Sequence, residues 1–130
     1  MKPEHIDLTD SEWRVMEALW ASAPLTGREL IGRMEQETGW SRSTTLTLLR
    51  RLEDKEAVAS DDGGRVKTFR PLVAREDAAL RETEDFLHRV YQGSVSLMVS
   101  ALTKKQALSR DEIDELYGML KQLEGDEDRD

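Results

Sequence analysis

At three places in this chain a Ser or Thr is followed three residues later by Glu, at the head of an amphipathic stretch. They are Thr9-Asp10-Ser11-Glu12, Thr26-Gly27-Arg28-Glu29 and Ser109-Arg110-Asp111-Glu112. In such a capping box the hydroxyl and the carboxylate each accept a hydrogen bond from a backbone N–H that the first helical turn leaves without a partner. Each box therefore predicts a helix start. After the first, Trp13, Met16, Leu19 and Trp20 share one helical face, and Ala23-Pro24 ends the helix. After the second, Leu30, Ile31 and Met34 give a short amphipathic helix that stops at Gly39. Ser41 opens another without an acidic partner, reaching about Glu56 with Leu48, Leu49 and Leu52 turned inward.

Two short β-prone runs follow, Ala57-Val58-Ala59-Ser60 and Val66-Lys67-Thr68-Phe69-Arg70, around the turn Asp61-Asp62-Gly63-Gly64-Arg65, and Pro71 closes them. Three helices and a hairpin within residues 1–72 make the winged helix-turn-helix pattern. A small structural α+β domain without a nucleic-acid role would show the same element order.

The remainder reads as helices. Leu80, Phe86, Leu87, Val90 and Tyr91 lie in a stretch from Asp77 to Tyr91 that Gly93 interrupts. Val95, Leu97, Met98, Val99, Ala101 and Leu102 form a more apolar one. Ile113, Leu116, Tyr117, Leu120 and Leu123 trace one face of the last. The expected fold is mainly α with a small β-hairpin wing: a winged-helix domain over 1–72, a helical dimerisation domain over 73–124, and an acidic disordered tail over 125–130. A chain of 130 residues buries only about two-thirds of its unfolded surface. Pairing with a second copy would cover the apolar stripes of these helices, with Phe86, Leu87, Val90, Tyr91, Val95, Met98, Leu102, Ile113, Leu116 and Leu120 as the candidate dimer contacts. Folding back onto the N-terminal domain is the alternative.

The formal net charge is −8, which is the wrong sign for a nucleic-acid binder. It is unevenly placed. Between Trp40 and Arg70 the bases Arg42, Arg50, Arg51, Lys55, Arg65, Lys67 and Arg70 outnumber the acids Glu53, Asp54, Glu56, Asp61 and Asp62. A phosphate backbone responds to that local stripe rather than to the whole-chain charge. At 100° per residue Thr45, Leu48, Leu49 and Leu52 fall on one side of the third helix. Ser43, Thr47 and Arg50 fall opposite, with Leu46 beside them and Thr44 and Arg51 flanking. Hydroxyls can bond phosphates or base edges, and an arginine can bridge a guanine edge or clamp a phosphate. The candidate DNA contacts are therefore Arg42, Ser43, Thr44, Leu46, Thr47, Arg50 and Arg51, with Arg65 and Lys67 on the wing. Arg50 and Arg51 could instead pair with Glu53, Asp54 or Glu56 on a solvated face, and Asp61 and Asp62 oppose a phosphate-tracking wing.

These features together resemble the penicillinase repressor (BlaI/MecI/CopY) family. The likeness rests on Leu8-Thr9-Asp10-Ser11-Glu12-Trp13 running on to Leu19-Trp20, on Trp40-Ser41-Arg42-Ser43-Thr44-Thr45 running on to Lys55, on Phe86 to Ser94, and on Leu108 to Leu116. The resemblance implies a cytoplasmic homodimer that represses antibiotic-resistance or stress genes from a palindromic double-stranded DNA operator. It further implies half-sites about one DNA turn, or a multiple, apart. It also implies a sensor or protease that relieves repression, and Ala101-Leu102 stands where the β-lactam-responsive members are cleaved. Two departures stand out. Leu46 occupies a position where the family often carries a basic residue; leucine can touch a thymine methyl but cannot hydrogen-bond. Copper-responsive members carry a C-terminal cysteine cluster, and this chain has no cysteine.

Other classes find little support. With no cysteine and only His5 and His88 as imidazoles, disulfides and thiolate metal sites are excluded, and no metal or cofactor is expected. No Gly-rich phosphate loop, nucleophile elbow or paired-histidine motif suggests an enzyme, and no apolar run is long enough to span a membrane. The remaining rival is an acidic dimeric winged-helix module that binds another protein instead of DNA.

Overall fold

The structure, a computed structural model, describes residues 6–127; His5 and residues 128–130 lie outside that range. Two compact units are present, dividing between Thr83 and Glu84. The first contains α1 (Asp10–Ser22), β1 (Leu25–Thr26), α2 (Gly27–Thr38), α3 (Arg42–Asp54), β2 (Val58–Asp61) and β3 (Thr68–Pro71), followed by the start of α4 (Arg75–Tyr91). The strands form one antiparallel sheet in the order β1-β3-β2. This is a winged helix.

Local chemistry sets the helix ends. Thr9 Oγ1 accepts from Glu12 N–H at 3.1 Å while Glu12 Oε1 accepts from Thr9 N–H at 2.8 Å. Thr26 and Glu29 repeat the exchange at 3.1 and 2.9 Å. Gly39 ends α2 with φ of 77°, a left-handed conformation that glycine adopts without a Cβ clash. At the end of α3 the same conformation falls to Glu56, at φ 61°. Ala57 N–H then reaches back to the Leu52 carbonyl at 2.9 Å, so α3 stops at Asp54, slightly short of the predicted Glu56.

The core is one cluster built from α1 (Val15, Met16, Leu19), α2 (Leu30, Met34), α3 (Leu48, Leu49, Leu52) and the sheet (Leu25, Val58, Phe69). The two-residue strand β1, which is too short to show alternation, pairs Leu25 with Phe69 and Thr26 with Thr68. β3 begins at Thr68 rather than Val66, because the register pairs Asp61 with Thr68 and leaves 62–67 as the wing loop. Beyond the sheet, Trp20 Nε1 donates to the Val73 carbonyl at 2.8 Å. Arg75 pairs with Glu17 at 2.6 Å and lies over the Trp13 ring, and Ala78 is buried. These contacts hold residues 73–78 to the first unit, so α4 begins at Arg75, ahead of the Asp77 start expected from the sequence, and the unit boundary falls within the helix.

The second unit comprises the end of α4, then α5 (Val95–Lys104) and α6 (Arg110–Glu127). Gly93, at φ 83°, interrupts the chain after α4 and donates its N–H to the Leu87 carbonyl at 3.0 Å. Ser109 and Glu112 cap α6 at 3.1 to 3.4 Å. Helix α6 runs through Glu127, so Gly125, Asp126 and Glu127 are helical where a disordered tail was expected. Gly125 is not among the left-handed glycines, and nothing else there forces the helix to end.

Candidate nucleic-acid interface

Helix α3 begins with a knot of hydroxyls. Ser41 Oγ accepts from Thr44 N–H at 3.3 Å and lies 3.1 Å from Ser43 Oγ and 3.0 Å from Thr44 Oγ1. The first helical residue is Arg42, and the first turn holds no acid. Because a helix N-terminus carries partial positive charge, a cation there stabilises nothing in the helix itself and adds to an anion-attracting end.

The two faces of α3 separate as the helical period requires. Thr45, Leu48, Leu49 and Leu52 are buried, while Arg42, Ser43, Thr44, Leu46, Thr47, Arg50 and Arg51 are exposed. Arg42, Arg50 and Arg51 make no ion pair or hydrogen bond among the described residues, whereas Arg33, Lys55 and Arg75 are paired. The alternative pairing of Arg50 and Arg51 with Glu53, Asp54 or Glu56 is therefore not formed. Two open depressions flank the outward face. One is lined by Thr9 and Ser11 of the α1 start with Ser43, Thr44, Thr47, Leu48 and Arg51. The other is lined by Gly27, Arg28 and Ile31 of α2 with Arg42 and Leu46. Sequence reasoning missed Thr9, Ser11, Arg28 and Ile31 as parts of this surface. One signal was available: Arg28 stands in the first turn of α2, where the helix dipole disfavours a cation.

On the wing, Asp61 Oδ1 accepts from Gly63 N–H at 2.8 Å, and a Cβ at Gly63 would come within 3.0 Å of that oxygen. The Asp61 carboxylate is thus folded onto its own turn. Asp62 and Arg65 are exposed, and Lys67 Nζ sits 5.4 Å from the Phe69 ring centre.

A further link holds α3 from beneath. Glu12, almost completely buried, accepts from Lys55 Nζ at 2.6 Å, and Lys55 also donates to the Asp7 carbonyl at 2.7 Å. Burial pushes the Glu12 carboxyl up, but the Lys55 ammonium and the Thr9 N–H outweigh it and hold the group below the usual glutamate range. From the sequence, Glu12 was only a cap and Lys55 only one positive charge. The structure joins them across the α1–α3 contact.

The candidate dimer residues belong to α4, α5 and α6. Phe86, Val90, Val95, Leu102, Leu116 and Leu120 are exposed, and Leu87, Tyr91, Met98 and Ile113 are half-buried. Met119, which the sequence did not suggest, joins Leu97, Tyr117 and Leu123 as further exposed apolar residues. Ala101 and Leu102 lie inside α5, whereas proteolytic nicking favours exposed loops. Among the described residues no cluster of His, Asp and Glu could hold a metal ion, and no helix is long and apolar enough to cross a membrane.

Comparison with known proteins agrees with this geometry. The penicillinase repressor family model matches residues 8–122. A penicillinase repressor of Bacillus licheniformis is 31% identical over 115 residues, covering 88% of this chain and 90% of its own. The methicillin resistance regulatory protein MecI of Staphylococcus aureus strain N315 is 27% identical over 114 residues, covering 88% and 93%. Among solved structures, the monomeric form of B. licheniformis BlaI in complex with the blaP half-operator superposes with a TM-score of 0.52 at 30% identity, covering 59% of this chain and 93% of that one. The family is one of repressors rather than enzymes. With the winged helix, the capped helices and a match across most of its length, this chain belongs to the penicillinase repressor family.

Proposed function

We propose that the chain is a transcriptional repressor that binds a palindromic double-stranded DNA operator as a homodimer, in the cytoplasm with the DNA it controls. The observation that carries this reading is the outward face of α3, where exposed Arg42, Arg50 and Arg51 stand among the Ser43, Thr44 and Thr47 hydroxyls with no ion pair to any described residue. A recognition helix needs such a face: cations and hydroxyls for phosphates and base edges, backed by an apolar side locked into the core. Arg65 and Lys67 on the wing add contacts to the sugar-phosphate backbone. The homodimer is supported by the exposed apolar residues of α4 to α6, which a second copy would cover. The blaP half-operator complex of BlaI is consistent with one half-site per protomer.

The test is an operator selection from random duplexes with the full chain, followed by binding across a salt series. Specific retention whose logarithm falls linearly and steeply with the logarithm of salt is the expected result, because each neutralised phosphate releases counterions. Absence of retention at low salt would overturn the reading and favour a protein-binding module.

A further inference from the structure

One exposed residue on the outward face of α3 does not suit a purely polar surface. Leu46 is 37% exposed in the middle of a row of hydroxyls and guanidinium groups. An apolar side chain held in water there gains nothing unless something apolar covers it. It is not isolated: Leu46 and Ile31 line the same open depression, together with Gly27, Arg28 and Arg42. Neither arginine makes an ion pair or hydrogen bond among the described residues. The depression therefore combines apolar side chains with two cationic ones.

We propose that this depression, formed by Leu46 and Ile31 between Arg28 and Arg42, holds the C5 methyl of a thymine in the major groove and selects that base in each operator half-site. The inference rests on the DNA-binding reading above and makes it more specific. The thymine methyl is the apolar group that the major-groove edges present, and it distinguishes thymine from cytosine beside it. The charges suit DNA: phosphates border the groove, and Arg28 and Arg42 beside the apolar pair would meet them while Leu46 covers the methyl. Leu46 offers no hydrogen bond, so the selection works by burial rather than by bonding to the base edge. An apolar side chain of a partner protein could also cover such a surface, but the two arginines, unpaired among the described residues, favour a polyanion.

Deoxyuridine tests this directly, because it lacks only the C5 methyl and keeps every hydrogen-bonding edge. In an operator selected with the full chain, each thymine is replaced singly by deoxyuridine and the affinity measured. One position per half-site should lose about fourfold, and replacing it in both half-sites about sixteenfold, as expected for uncovering one buried methyl in each. Leu46→Ala should lower affinity for the natural operator and abolish the deoxyuridine penalty at that position, while Thr47→Ala keeps it. A penalty that persists in Leu46→Ala, or vanishes in Thr47→Ala, overturns the assignment to Leu46. An operator that tolerates deoxyuridine everywhere overturns this inference while leaving the repressor reading intact. Failure to select any operator overturns both.

Discussion

Helices α3 and α6 are both amphipathic, and they end up in opposite conditions. In the first unit every inward residue of α3 is buried, and Leu52 and Thr45 are fully shielded. In the second unit no described residue is buried, and Tyr117, Leu120 and Leu123 on α6 each expose more than half their surface (63%, 57% and 61%). A hydrophobic stripe at helical spacing says that a face wants cover. It does not say what provides the cover. For α3 the cover is within the chain, so the helix is held rigidly enough to present its other face. For α6 the second unit by itself does not supply it, which is why a second copy is proposed above.

The largest expected effect comes from breaking the second half of that contrast. Replacing Leu116 and Leu120 together by Asp should turn the proposed dimer into a monomer in sedimentation and lower operator affinity by about a hundredfold or more, because two half-sites would no longer be held as one ligand. The melting of the first unit should be unchanged. A dimer that survives would place the pairing face elsewhere.

The first half is tested through the link beneath α3. Lys55→Met strands the buried Glu12 carboxylate and should cost about 3 kcal/mol in urea unfolding. The same pair predicts acid sensitivity. A carboxyl depressed in the folded state contributes stability that is fully present above its unfolded value, near pH 4.5, and is lost as pH falls through the lower folded value. Glu29 adds in the same direction, since the Thr26 N–H holds its carboxyl down. Glu12→Gln should therefore show a shallower loss of stability below about pH 4.5 than the unmodified chain; parallel acid profiles would mean that the pair contributes nothing.

On the outward face, Arg50→Ala should weaken operator binding about tenfold and flatten the salt slope by about one unit if the side chain meets a phosphate. Thr47→Ala should have a smaller effect. Both should leave the dimer and the unfolding midpoint unchanged, as substitutions outside the core do. Normal affinity in both variants would mean that the face is misassigned. The smallest effect is expected at Glu56, held at φ 61°. Glu56→Gly should stabilise the first unit by about 1 kcal/mol, by removing a Cβ from a left-handed position, as a thermal melt can show.

Much of the fold was legible because its signals are short-range. A capping box spans four residues, so Thr9, Thr26 and Ser109 announced their helices. Leu48, Leu49 and Leu52 declared their side of α3 by spacing alone. Much of the outward face of α3 followed from the same spacing, since the side opposite a buried stripe faces out. The missed pieces depend on residues distant in the chain. β1 exists only because Phe69 lies beside Leu25, and a two-residue strand leaves no pattern. Ile31 was read as part of the amphipathic helix, and only the packing of α2 beside α3 brings it next to Leu46.

What the sequence determined by itself, then, is where the helices with a capping box begin, which way α3 turns and where positive charge gathers, all set within a few residues along the backbone. The tertiary structure decided three other things. It joined Glu12 to Lys55 across 43 residues. It left Arg42, Arg50 and Arg51 without acidic partners among the described residues. It left the stripe on α6 uncovered. Each depends on which side chains meet in space, and spacing along a helix cannot specify a neighbour contributed by another element.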